Sequence, residues 1–529
     1  MKFSGLHKQR LSVEKGGMRQ NARRLAADEE KCEREDITLE KREGFFERFF
    51  GISQSGSNMR TEVLAGITTF ITVAYILILN PQILADPFVI GGDMDMASKI
   101  SNGVFIGTCI GAFIGTILCA VYAKVPLAQA PGMGLNAFFV YTVCFTFGLS
   151  YANALILVLL DGVVFIILTL TGVRKMLFDA IPQCVRMAIS AGIGLFIAFL
   201  GLQDAGIIVP SSSTCVNLTS FNLFNGNATW AEIMPKLVTI VALIIIAVLS
   251  YKKVKGSVLW GILGGTGLYY ILGCTIPGFY KGFAANMNFN PFTAFGDWGS
   301  QAFLKVFTDG FDFSGYLATH STADLVILMI TTALAFCMVD MFDTLGTLYG
   351  ACSRGNMLTE EGEVPNFEKA MLSDAIATVT GAICGTSTVT TFVESSAGVA
   401  EGARTGLAAF TTGVLFFVAM FLSPVAVLIP TCATSAALIY VGVLMMGGVA
   451  DIEWHKPEVA VPSFMTIAMM PFAYNISYGI AFGLITYVFI CIFTGRVKEI
   501  KPFTWVVGAL FAIMFFICLL YTSPSPRDY

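Results

Sequence analysis

Fourteen stretches of this chain, from 62–80 to 503–521, are apolar for long enough to cross a lipid bilayer or to half-cross it beside a neighbour. That succession constrains the fold more than any other feature. In hydrocarbon every backbone polar group must find its partner within the protein, so a span is helical unless it is buried or lines a cavity. Composition agrees: 55% of the 529 residues are hydrophobic, 13% are charged and the mean hydropathy is +0.74, values that exclude an ordinary soluble domain. The thirteen cysteines lie largely inside apolar runs, as Cys109, Cys119, Cys337 and Cys491 do, and suggest no disulfide framework. No Cys-x-x-Cys or Cys/His cluster points to a metal, and no cofactor is expected.

Residues 1–58 are polar and mixed in charge, which predicts a cytosolic tail, with Phe45, Phe46, Phe49 and Phe50 along the membrane surface. Basic residues fall in alternate short loops: Lys124, Arg174 with Lys175, Lys252 with Lys253 and Lys255, Arg354 and Arg404. That pattern predicts an inside N-terminus. The loop 205–232 is nearly free of Lys and Arg and carries two glycosylation sequons, at Asn217 and Asn227, as an outer loop does. Arg496 and Lys498 disagree, falling outside if 503–521 is the fourteenth span; 461–474, broken by Pro462 and Pro471, reads as a short or re-entrant piece. Ile181-Pro-Gln-Cys184 recurs as Ile429-Pro-Thr-Cys432, 248 residues later. Seven spans per half would give the halves opposite topology, the pattern of inverted-repeat transporters. Residues 522–529 resemble nothing before them and receive no role.

Two spans do not read as plain helices. In Gln129-Ala-Pro-Gly-Met-Gly-Leu-Asn136, Pro131 and two glycines break the helix and Asn136 opens the next half-helix. Residues 386–393 alternate hydroxyl, β-branched and aromatic side chains and favour an extended backbone, which leads into Glu394, Ser395 and a small-residue half-helix. Asp340 and Asp343 share a helix face in 324–350. An acid at the middle of a span costs about 2.5–3.5 kcal/mol, so Asp340, Asp343 and Glu394 together approach ~10 kcal/mol if the terms add. Such residues face a bundle interior or a polar site. Glu401 with Arg404 reads as a structural i, i+3 ion pair, and Asp161 and Asp374 as structural helix contacts.

Three motifs, Ala130-Pro-Gly-Met-Gly-Leu-Asn-Ala-Phe138, Val339-Asp-Met-Phe-Asp-Thr-Leu-Gly-Thr-Leu348 and Gly385-Thr-Ser-Thr-Val-Thr-Thr-Phe-Val-Glu-Ser-Ser-Ala-Gly398, resemble the AzgA-like purine permeases of the nucleobase–cation symporter 2 group. The likeness spans about 45–521. It implies an all-α, seven-plus-seven inverted repeat of about fourteen spans with short strands in the two interrupted ones. It also implies a core domain, about 59–172 and 324–422, and a gate domain, about 173–273 and 429–521. In related uracil permeases carboxylates of the eighth and tenth spans bind the base. By motif Glu394 matches the second and Asp343 the first, with Asp340 one turn earlier as the rival. The tail and the sequon-bearing loop depart from bacterial members and point to a eukaryotic plasma membrane.

The expected activity is proton-coupled import of hypoxanthine, adenine or guanine, and not catalysis. Asn136, Asp340, Asp343, Phe392, Glu394 and Ser395 are the candidate substrate residues, and Glu394 and Asp343 those that carry the proton; Phe342 and Phe138 are alternative stacking faces. Burial disfavours a charged carboxylate, so such an acid takes up a proton as the site closes and releases it to the cytosol. Expected partners are a purine base, a proton, the lipid bilayer and, as an option, a second copy in a homodimer; nucleic acid is not one. The rivals are an anion transporter of the same architecture and, less favoured, an intramembrane aspartyl enzyme.

Overall fold

The computed structural model describes residues 44–171, 181–211, 214–222, 229–274, 291–354, 357–358, 364–423 and 428–518. The expectations for 1–43, for Asn227 and for 522–529 lie outside the described residues. Ahead of the first span a short helix, Phe45–Phe50, stacks Phe45 on Phe49 and Phe46 on Phe50, the i, i+4 neighbours of one helical turn.

Seven passes make the first half: Met59–Ile90, Met94–Ala123, an interrupted third pass, Tyr151–Thr171, Gln183–Asp204, Trp230–Tyr251 and Ser257–Gly273. The third consists of a strand, β1 (Gln129–Pro131), and a half-helix, Met133–Thr146. Between the fifth and sixth passes β2 (Ile208–Ser211) and β3 (Cys215–Leu218) pair as an exposed antiparallel hairpin, with Asn217 exposed on β3. The second half runs Thr322–Arg354, Phe367–Cys384, an interrupted tenth pass, Gly406–Leu422, Thr431–Ala450, Pro457–Phe472 and Ile476–Phe493. The tenth consists of β4 (Val389–Thr391) and the half-helix Ser395–Ala400. The chain is an integral membrane protein of seven-plus-seven architecture.

The span count differs from expectation near its end. Residues 461–472 lie in a 16-residue helix, Pro457–Phe472, packed against Ile476–Phe493. Pro457 opens that helix, where its missing N–H costs nothing. The Ser463 hydroxyl donates to Cys184 O at 3.1 Å, which ties this helix to the start of the fifth pass. The second set of seven therefore ends at Phe493, and Pro502–Cys518 follows the repeat as an additional helix. One more pass reverses the parity that troubled Arg496, whose guanidinium reaches Glu458 at the start of the thirteenth pass, 3.3 Å away. Asn475, which opens an Asn-Ile-Ser sequon, is fully buried and caps the fourteenth pass by accepting the Tyr478 N–H.

Contacts sort the passes into two groups. The second packs on the first, ninth and eleventh, and the fourth on the eighth and ninth; the fifth packs on the twelfth and thirteenth, and the sixth on the seventh and twelfth. The internal echo has a geometric counterpart. Pro182 and Pro430 each cap the helix they precede, and these two helices cross at Gly194 and Gly442, where a Cβ on Gly194 would stand 2.6 Å from Gly442 O. Gly194 and Gly442 have the same 248-residue separation as the echo, so the crossing pairs equivalent positions of the two halves. Gly201 lies against Ser435 and Leu438, so the helices run antiparallel, and only small residues let backbones come this close.

Candidate functional site

The two interrupted passes meet. β1 and β4 pair antiparallel, with Gln129 opposite Thr391, Ala130 opposite Thr390 and Pro131 opposite Val389. The pairing extends beyond the strands: Gly132 N–H donates to Thr388 O at 3.0 Å and Phe392 N–H to Ala128 O at 3.0 Å. A two-stranded ribbon leaves its outer edges unpaired, which is costly inside a membrane protein. Hydroxyls of the flanking helices fill them. Thr116 both donates to Gln129 O and accepts its N–H, each at 3.0 Å, and Thr378 donates to Val389 O at 3.1 Å. Proline and glycine on one side, and the threonine–valine run on the other, make the helix unfavourable here and the ribbon favourable.

Each strand turns into a half-helix: the first N–H groups of Met133–Thr146 lack intrahelical partners, whereas Ser395 and Ser396 donate back to Phe392 O and Val393 O at 3.1 and 3.0 Å. Gly132 caps Met133–Thr146 and Glu394 caps Ser395–Ala400. A Cβ at Gly132 would collide with Thr390 Cγ2 at 2.8 Å, so glycine is what lets the turn pack on the opposite strand, and the Asp343 carboxylate lies in contact range of the same turn, 3.6 Å from that Cβ position. Asp343 lies within electrostatic range of Asp374 and Glu394. Asp343 and Glu394 are half-buried and Asp374 is fully buried.

Asp374 is bound tightly from behind. It accepts from Thr344 Oγ1 at 2.7 Å, Thr391 Oγ1 at 3.2 Å and Gln129 Nε2 at 3.3 Å, and Thr344 also bonds Thr390 Oγ1 at 2.7 Å. The expected structural contact is thus an underlay that ties the eighth and ninth passes to both strands. Asp340 is fully buried one turn before Asp343, while the carboxylates that act on Asp343 are Asp374 and Glu394.

The Glu394 carboxylate accepts a hydrogen bond from the Tyr75 hydroxyl, Oη to Oε1, at 2.7 Å. Tyr75 is 1% exposed and sits where the first pass breaks between Val73 and Ile76, ahead of Pro81. Asn136 is fully buried; its amide oxygen accepts from the Ser387 hydroxyl and its nitrogen faces Met133 Sδ at 3.9 Å. Ser395 is also fully buried and its hydroxyl accepts the Ala128 N–H at 3.0 Å. Phe392 is 6% exposed beside Glu394, whereas Phe138 packs on Phe336 at 4.6 Å between ring centroids. The Phe342 side chain lies outside the described residues.

A cleft of about 390 Å³ leads to Glu394 from one end, between Thr68, Thr72, Ala397 and Glu401 on one side and Ser250, Lys255, Gly256 and Tyr440 on the other. Glu401 there forms an ion pair with Lys255 and accepts from Thr68 Oγ1 at 2.8 Å, while the Arg404 guanidinium donates to Val399 O and Ala403 O. The expected Glu401–Arg404 pair does not form. The helix ends at Ala400 and the chain turns through Gly402 at φ 107°, so the two residues share no helix face. At the opposite end the two helix groups are in contact: Gln82 Nε2 donates to Ile429 O at 3.0 Å and Thr434 Oγ1 to Gln82 Oε1 at 2.7 Å. The Tyr141 ring meets Tyr474 edge-on at 5.7 Å, and the Tyr141 hydroxyl donates to Asp86 at 2.6 Å.

Sequence reasoning missed Tyr75, and with it the contacts made by Gln129, Thr116 and Thr344. For Tyr75 a signal existed, since a buried phenol in an apolar span requires a hydrogen-bond partner. The other three were recognisable as polar groups inside spans, without an indication of which partners they met. Among the described residues no group of three or more His, Cys, Asp or Glu is arranged to hold a metal ion.

Comparison with known proteins follows the same lines. The sequence model of the Permease family matches residues 60–482, stopping short of the additional helix at Pro502. The adenine permease AdeP of Escherichia coli (strain K12) is 35% identical over 471 residues, which cover 89% of this chain and 96% of that protein. The guanine/hypoxanthine permease PbuO of Bacillus subtilis (strain 168) is 38% identical over 479 residues, 88% of this chain and 100% of that protein. Among solved structures, the transmembrane domain of the cyanobacterium bicarbonate transporter BicA is similar with a TM-score of 0.54 at 16% identity, covering 80% of this chain and 97% of that one. At that identity the likeness speaks for the fold alone.

Proposed function

The chain belongs to the Permease family, and from that premise we propose that it imports purine nucleobases by proton symport, without a catalytic step. One observation carries the reading: Glu394, at the cap of a half-helix, and Asp343, against the cap of its counterpart, both stand half-buried where the paired strands turn into helix. A neutral purine presents ring N–H groups, which carboxylates accept, and ring nitrogens, to which backbone N–H groups donate. Asp343 and Glu394 take the first role and the first N–H groups of the half-helix that follows Gly132, at 133–135, the second. Phe392 supplies the stacking face. Asn136 and Ser395 shape the site from within the ribbon, and Asp340 supports the eighth pass.

The first to fourth and eighth to eleventh passes form the substrate-carrying core, and the fifth to seventh and twelfth to fourteenth the gate against which it moves. The cleft opens toward the cytosol, because Lys252, Lys253 and Lys255 gather at that end. The N-terminus is cytosolic by the same count, and the protein resides in a eukaryotic plasma membrane. Closing the site takes Asp343 and Glu394 out of water, so a proton taken up with the base keeps their charge compensated in transit. Each net charge moved inward gains about 2.3 kcal/mol per 100 mV.

The test is uptake of radiolabelled adenine, guanine and hypoxanthine in cells without purine carriers, with uracil and sulfate as competitors and a protonophore added. Purine-competed, protonophore-sensitive uptake is expected. Absence of purine uptake, together with uptake of radiolabelled sulfate in the same cells, would instead assign the chain to anion transport.

A further inference from the structure

We propose that Tyr75 sets purine selectivity by engaging one of the two carboxylate oxygens of Glu394; this rests on the purine reading above. The Tyr75 hydroxyl donates to Glu394 Oε1 at 2.7 Å, and among the described residues it is the one side chain found to donate to that carboxylate. The ring that carries it is held firmly. Tyr75 is 1% exposed, and its backbone carbonyl accepts from both Ile78 and Leu79, so the hydroxyl cannot withdraw without a rearrangement of the first pass. The chain break that places it is built into the sequence: Pro81 has no N–H for the carbonyl of Leu77, which loosens the helix one turn above.

The chemical consequence concerns how many N–H groups Glu394 can receive. A free carboxylate accepts two parallel N–H donors, one on each oxygen. Each oxygen has two acceptor positions; Tyr75 takes one of those on Oε1 and crowds a second donor there, so the parallel two-donor approach across both oxygens is disfavoured while a single donor on the other oxygen is not. Guanine has two adjacent donors, the ring N1–H and the exocyclic amino group on C2. Hypoxanthine has N1–H and only C2–H beside it. The Tyr75–Glu394 pair therefore reduces the advantage guanine would have on a free carboxylate and holds the two bases closer to parity. Tyr75 also keeps the carboxylate oriented while the site is empty, so that its other oxygen meets a single N–H without a search among rotamers.

The experiment compares guanine and hypoxanthine affinities, by competition against radiolabelled adenine, in wild type, Tyr75→Phe, Glu394→Gln and the double variant at matched surface expression. Tyr75→Phe removes the hydroxyl and keeps the ring, so packing is retained. The guanine-to-hypoxanthine affinity ratio is expected to rise by roughly tenfold, the worth of one charge-assisted hydrogen bond. In the Glu394→Gln background the same change should leave the ratio where it was, because a neutral amide does not offer the second acceptor. An unchanged ratio in Tyr75→Phe, or an equal change in both backgrounds, overturns the proposal while leaving purine transport standing. A second measurement needs no substrate: the infrared carboxyl signal assigned to Glu394, by difference with Glu394→Gln, should move when Tyr75 becomes Phe. If it stays in place the hydrogen bond is not made in the membrane and the proposal falls. Should wild type take up no purine, the functional reading fails and the selectivity proposal with it, even where the infrared signal moves.

Discussion

The backbone N–H of Ala128 donates to the hydroxyl of Ser395 at 3.0 Å, so the approach to one interrupted pass is fastened to the first helical residue of the other. Both groups are buried. Ser395→Ala leaves the Ala128 N–H without this partner, at a cost of about 1–3 kcal/mol. The expected outcome is a lower melting temperature in detergent and weaker purine binding, measured on the same preparation. Ser395→Thr, which keeps the hydroxyl, should lose less of both.

Asp343 and Asp340 share a helix face but meet different surroundings, since Asp343 reaches the Gly132 turn and Asp340 is fully enclosed. Asp343→Asn is expected to abolish uptake with normal arrival at the membrane. Asp340→Asn should retain measurable uptake. The reverse order, at matched surface expression, would shift the binding face of the eighth pass by one turn.

Glu394→Gln retains shape and one acceptor oxygen but presents an amino group where the purine also donates. Loss of a charge-assisted bond costs about 1.5–3 kcal/mol, or roughly ten- to 150-fold in affinity. Glu394→Asp keeps the charge one methylene further back, beyond easy reach of Tyr75, and is expected to weaken binding less. Purine affinity of both variants against wild type decides the matter; wild-type affinity in Glu394→Gln would leave Glu394 a structural contact.

Gly132 is the position where a single methyl group should do most harm. Its Cβ would meet Thr390 Cγ2 at 2.8 Å, and Thr390 is held in place by Thr344 at 2.7 Å. Overpacking of this kind costs about 1–3 kcal/mol and pushes the turn away from Asp343. Gly132→Ala should therefore depress uptake severely. The added change Thr390→Ser, which removes the obstructing methyl and keeps the hydroxyl, should restore part of it; failure of that rescue would mean the clash is not the cause.

Asn217 is exposed on the β2–β3 hairpin, accessible to a glycosyltransferase if that loop faces outward. A glycosidase should then increase gel mobility, the shift should shrink in Asn217→Gln, and uptake should be unchanged. Protease protection of this loop in right-side-out cells would reverse the assigned topology.

The sequence by itself determined the features that depend on local chemistry. Apolar length marked the spans because hydrocarbon tolerates little else. Pro131 with its glycines, and the threonine–valine run ahead of Glu394, marked the two places where a helix is unfavourable and a strand is not. The 248-residue echo marked the helices that cross at Gly194 and Gly442, because the proline that opens a helix is itself a local signal. Only the tertiary structure decided which polar groups meet. Tyr75 and Glu394 are 319 residues apart, and Gln129 and Asp374 are 245 apart, so no spacing rule connects them. The same holds for Glu401, whose partner is Lys255 across the cleft because the helix stops before an i, i+3 contact with Arg404 can form. A buried polar group in a membrane must be satisfied, and that requirement is written in each span; the identity of its partner is set by how helices distant in sequence pack against one another.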